Sequence, residues 1–109
     1  MEHEEAQTLL RAERTRVQSL LDEARAAGRD DRAAADEQGD MSDPAPSLVA
    51  EQVDDAVAAA LSERLEAIAR AEQRLAQGTY GRSVRSGDAI PDDRLRADPA
   101  AELTVEEAQ

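Results

Sequence analysis

Cysteine, tryptophan, phenylalanine and lysine are absent from this 109-residue chain, and tyrosine and histidine occur once each. Each absence removes a class of chemistry. Without thiols there is no disulfide, no cysteine nucleophile and no thiolate metal site. His3 stands alone, near an end expected to fray, so imidazole catalysis has no partners. No apolar run approaches the roughly 20 residues that span a bilayer, and the start, Met-Glu-His-Glu-Glu, is acidic where a signal peptide is basic. A cytoplasmic protein with no membrane contact is expected. Large side chains are also scarce: of 44 hydrophobic residues 23 are Ala, which excludes a thick aromatic-filled core.

All 13 basic residues are Arg, set against 25 Asp and Glu for a net charge of −12. The arginines are interleaved with acids, so no basic face can offset repulsion from nucleic-acid phosphates. Direct nucleic-acid binding is not expected, and a protein with a basic cavity is the better electrostatic match. Ala, Glu, Leu and Arg make up 59 of the residues, the composition of long helices that need only a narrow apolar seam.

Leu10, Val17, Leu20, Leu21 and Ala24 recur at helical spacing and predict an amphipathic helix over residues 4–27. The polar stretch from Gly28 to Asp43 reads as a turn or loosely helical tip. A second helix is expected from Asp43-Pro44, where Asp is a favoured N-cap and Pro is tolerated in the first turn, to Gly78. Its stripe is Val49, Val53, Val57, Leu61, Leu65, Ile68 and Leu75. At about 1.5 Å per residue this helix would run roughly 50 Å and cannot bury the stripe against itself. The earlier helix is the expected partner, with Ala56, Ala59 and Ala60 letting the two backbones approach closely near the tip. The fold class follows: all-α, an antiparallel coiled-coil hairpin over residues 1–77 with an acidic tip near 28–46, and a small lobe over 78–109 ending in a short helix.

Gly78-Thr79-Tyr80-Gly81, then Ser83-Val84-Arg85-Ser86-Gly87, Ile90-Pro91, Arg94-Leu95, Ala97, Pro99 and Ala101, resemble without a gap the C-terminal lobe of the DksA/TraR family. Members of that family regulate bacterial RNA polymerase. Upstream, Asp40, Asp43 and Ala45 fit the D-x-x-D-x-A motif at the family's coiled-coil tip, and 40 residues separate Asp43 from Ser83, close to the family's spacing. The resemblance covers tip, second helix and lobe; the first helix matches only in character. It implies a hairpin that enters the polymerase's secondary channel and acts there through Asp40 and Asp43, with Ala45 allowing close packing. On the residues alone the plainer reading is favoured, Asp43 as an N-cap and Asp40 as one of many surface acids; the resemblance and the spacing of 40 reverse that preference.

The family's four zinc-binding cysteines correspond to Ser83, Ser86, Thr104 and Glu107. Neutral hydroxyls are poor zinc ligands, so no metal or other cofactor is expected. Thr104-Val105-Glu106-Glu107 reads instead as a capping box. With Val84, Ile90, Leu95, Leu103 and Tyr80 as a small core it would keep the lobe compact; the alternative is a lobe loosened by loss of its metal. Arg82, Arg85, Arg94 and Arg96 form either a docking patch on the lobe or ordinary surface ion pairs. The pairs Asp30-Asp31 and Asp54-Asp55 read as solvated faces, since adjacent helical residues do not face each other. Asp98 precedes the lobe proline where the family's alarmone site has Arg, which implies a weak or absent response there. The reading is a monomeric, non-enzymatic, zinc-free regulator of RNA polymerase. The alternative is a helical adaptor that uses the same scaffold for another protein partner.

Overall fold

The computed structural model describes the backbone of residues 1–38 and 45–109, with side chains described for 1–29 and 52–109. Four helices follow in order: α1 (His3–Gln38), α2 (Ala45–Gln77), α3 (Asp92–Ala97) and α4 (Val105–Ala108). Among the described residues there is no strand beyond an isolated antiparallel bridge between Arg82 and Ala89, and no helix is long and apolar enough to cross a membrane. The chain is all-helical, as its composition predicts.

Two boundaries differ from the expectation. α1 runs through Gly28 to Gln38, because Ala and Arg, strong helix formers, dominate both flanks and one interior glycine costs only about 1 kcal/mol. The N-terminal end is not frayed: α1 begins at His3, the Met1 ammonium lies 3.0 Å from an Asp92 carboxylate oxygen, and the Met1 side chain is 1% exposed. α2 ends as predicted. Gly78 takes a φ of 81°, and the Thr79 amide donates to the Arg74 carbonyl at 2.9 Å, the left-handed close that only glycine adopts without strain.

The chain divides into two compact units, one of residues 17–64 and one joining 1–16 to 65–109. In the discontinuous unit the start of α1 and the end of α2 run antiparallel, with Arg14 paired to Glu72 and Ala6, Leu10, Ile68 and Ala71 buried. Its lobe centres on Ile90, Leu95 and Ala101, packed by Tyr80 and Met1. Val84, expected in this core, is 55% exposed, and Leu103 is only half-buried. The backbone explains Val84: its amide donates to the Glu102 carbonyl at 2.9 Å, fixing the residue on the turn where its side chain faces water.

In the continuous unit Val17, Leu21 and Gly28 are buried on α1. On α2 the half-buried positions among the described side chains are Asp54, Ala58, Leu61, Ser62 and Arg64, whereas Val53 and Val57 are exposed, as are Ala56, Ala59 and Ala60. The predicted close alanine contact is therefore absent. The reason is helical phase: aliphatics repeated every fourth residue advance about 40° per step on a 3.6-residue helix, so a run of such steps cannot stay on one face.

Candidate functional site

The sequence points to two sites, the tip and the lobe. Of the tip residues, Asp40 and Asp43 lie outside the described residues, and Ala45 is the first residue of α2.

The lobe is built on a tight turn. Ser83 donates its amide to the Asp88 carbonyl at 2.8 Å and accepts from the Gly87 amide at 2.9 Å, with Gly87 at a φ of 79°. The Ile90 amide returns to the Gly81 carbonyl, closing the loop over Leu95. Within this turn the Ser83 hydroxyl, on a residue only 4% exposed, accepts from the amides of Arg85 at 3.1 Å and Ser86 at 3.2 Å. At the other end of the lobe, α4 opens with the predicted capping box. The Thr104 amide donates to Glu107 Oε1 at 3.0 Å, and the Glu107 amide donates to Thr104 Oγ1 at 3.3 Å.

The two ends meet at Glu107. Its carboxylate accepts from the Thr104 amide, and the polar groups around it, the Ser83 hydroxyl foremost, then the Thr104 amide and the Thr104 and Ser86 hydroxyls, hold it far below its ordinary value of 4.5, at about 2. Ser83, Ser86, Thr104 and Glu107, the four positions that the resemblance sets against zinc ligands, thus all act on one carboxylate. The capping box was legible from Thr104 and Glu107 alone. That the Ser83-x-x-Ser86 pair also reaches Glu107 was not, because two segments about 20 residues apart must first be brought together.

This donor set does not fit zinc. It offers three neutral hydroxyls and one carboxylate, where structural zinc takes four thiolate or imidazole ligands. The Ser83 oxygen already accepts two amides, and Glu107 is already engaged. Among the described residues no three His, Cys, Asp or Glu side chains gather as a metal site.

Because Glu107 is held below its ordinary value, its ionised form favours the folded lobe. That contribution is complete above about pH 4.5 and is lost as pH falls toward about 2. Acid titration followed by Tyr80 absorbance should show this loss in the parent protein and not in Glu107→Gln. Thr104→Ala should cost about 0.5–2 kcal/mol of lobe stability in denaturant unfolding.

The lobe arginines bind within the protein. Arg94 Nε donates to the Leu103 carbonyl at 2.9 Å, Arg85 to the Glu107 carbonyl at 3.4 Å and Arg82 to the Gly87 carbonyl at 3.2 Å. Arg96 pairs with Glu5 at 2.8 Å, and Arg70, which the sequence did not single out, pairs with Glu102 at 2.7 Å. Arg82, Arg85 and Arg96 remain exposed, and Arg94 is half-buried. Tyr80 donates its hydroxyl to the Pro99 carbonyl at 2.7 Å, and burial pushes it up to about 12.

No protein-family model matches the chain. A solved structure of transcription factor DksA2 from Pseudomonas aeruginosa superposes with a TM-score of 0.83 at 25% identity, over 97% of this chain and 79% of that one. General stress protein 16O of Bacillus subtilis (strain 168) is 48% identical over 44 residues, 40% of this chain and 27% of that relative, so the match spans little more than a quarter of its length. The fold is DksA-like.

Proposed function

We propose that this chain is a non-enzymatic transcription regulator that binds RNA polymerase, places the acidic segment linking α1 to α2 in the enzyme's secondary channel, and works in the cytoplasm without zinc. The observation that carries the reading is the superposition on a transcription factor over nearly the whole chain. Two features support the finer parts. The net charge of −12 suits a basic channel, with Asp40 and Asp43 as the tip carboxylates and Ala45 beside them. The hydrogen-bonded cluster at Glu107 joins the two ends of the lobe that a metal would otherwise join.

Pull-down with core RNA polymerase tests the function. Stoichiometric capture that weakens with salt is expected. Failure to bind would favour the adaptor reading. For the lobe, a strong chelator should leave the melting temperature unchanged, because a structural metal that binds only the folded state contributes several kcal/mol and its removal would be plain.

A further inference from the structure

Between the first turns of α1 and the last turns of α2 lies a cavity of about 250 Å³. Its apolar wall is Leu10, fully buried, with Leu75 and Ala76. Its polar side carries Arg11, Arg14 and Glu72, with Gln7 and His3 at the edge. In a chain where acids outnumber arginines 25 to 13, two guanidinium groups against one carboxylate are a local reversal of sign.

The two arginines are differently engaged. Arg14 spans both oxygens of Glu72, at 3.1 and 3.0 Å, with its side chain 52% exposed. Arg11 has no hydrogen-bond or ion-pair partner among the described residues, and it is exposed at the cavity. An exposed pair such as Arg14–Glu72 is worth little, so a competing anion can draw Arg14 from its carboxylate. A planar guanidinium presents paired donors that match a carboxylate or phosphate head. The volume lies below the roughly 300–1,000 Å³ of sites for drug-sized ligands, which sets the occupant's size.

We propose that this cavity binds a small organic anion, its carboxylate or phosphate head on Arg11 and Arg14 and its compact apolar body against Leu10, Leu75 and Ala76. The inference does not depend on polymerase binding. Glu72 acts as a built-in competitor for Arg14, which gives the site a signature that a passive groove lacks: removing the Glu72 charge should strengthen binding.

Titration of the ¹⁵N-labelled full chain with phenyl phosphate, benzoate and neutral benzamide, followed by amide shifts at Gln7, Arg11 and Ala76, tests this. Saturable shifts are expected with at least one anion and not with benzamide, and the tighter anion identifies the head group. Arg11→Ala should weaken binding by about tenfold or more, the loss expected for a charge-assisted contact. Glu72→Gln should tighten it by about threefold or more, a gain that a misfolded variant would not produce. The proposal is overturned if neither anion gives saturable shifts up to roughly 10 mM, if benzamide binds as well, if Arg11→Ala binds like the parent, or if Glu72→Gln leaves the affinity unchanged.

Discussion

Replacing Asp40 and Asp43 together by asparagine is expected to leave polymerase capture nearly unchanged while abolishing most of the effect on sensitive promoters. The expectation rests on the proposed channel reading. The tip residues are a small part of any interface formed along the two long helices, so their loss should move affinity little. Each carboxylate nevertheless forms charge-assisted contacts of about 1.5–3 kcal/mol where it meets a basic group. Losing two of them should reduce regulation in a reconstituted transcription assay by about tenfold or more. Asparagine is the informative replacement because it is as good an N-cap as aspartate, so it removes the charge while keeping the capping capacity that the sequence assigns to position 43. A double variant that regulates as well as the parent while still binding would show that the tip carboxylates do not act.

Leu95→Ala should have the largest effect on stability. Leu95 is 1% exposed at the centre of the lobe core, packed with Ile90, Ala101, Tyr80 and Met1. Truncating a buried leucine costs about 2–5 kcal/mol, and a core this small supplies only about 3–5 kcal/mol in total. The lobe of the variant should therefore be largely unfolded at room temperature. Tyr80 is the single aromatic residue and packs on this core, so near-ultraviolet circular dichroism reports on the lobe alone. Its signal should collapse in Leu95→Ala and persist in Leu95→Met, a volume-conserving change that costs less than about 1.5 kcal/mol. A Leu95→Ala protein with the parent's Tyr80 signal would mean that this cluster does not hold the lobe together.

What the sequence made legible was whatever is written locally. The end of α2 is punctuated by Gly78, and the start of α4 by the Thr104 and Glu107 pair, each within a few residues. The fold class followed from composition and two amphipathic stripes. Less legible was which way a long helix faces. Val53 and Val57 look like seam residues by spacing but are exposed, while Asp54 and Ser62 are half-buried beside them. An alanine-rich helix offers many nearly equivalent faces, and the choice between them is made by the partner helix. Gly28 misled for the opposite reason: a strong helical context overrides one unfavourable residue. The arginines of the lobe could not be assigned in advance because four of their partners, Glu5, Leu103, Glu107 and Gly87, include backbone carbonyls, which no charge pattern reveals.

The discontinuity of one unit also bears on the order in which the chain assembles. Residues 17–64 are consecutive, so their contacts require only that neighbouring stretches of chain find each other. The other unit is complete only when residues 65–109 return to 1–16, and the Met1 to Asp92 and Arg96 to Glu5 bonds each close 91 residues of chain. Contacts of long sequence separation carry the larger closure entropy and form late. On a ribosome the segment 17–64 can become helical and pair while the lobe is still unmade, and the first turns of α1 wait for the last residues to emerge. The final event of folding is then the docking of the lobe on those turns. The cavity lined by Arg11 and Arg14 needs only the end of α2, which supplies Glu72, Leu75 and Ala76, to reach those turns.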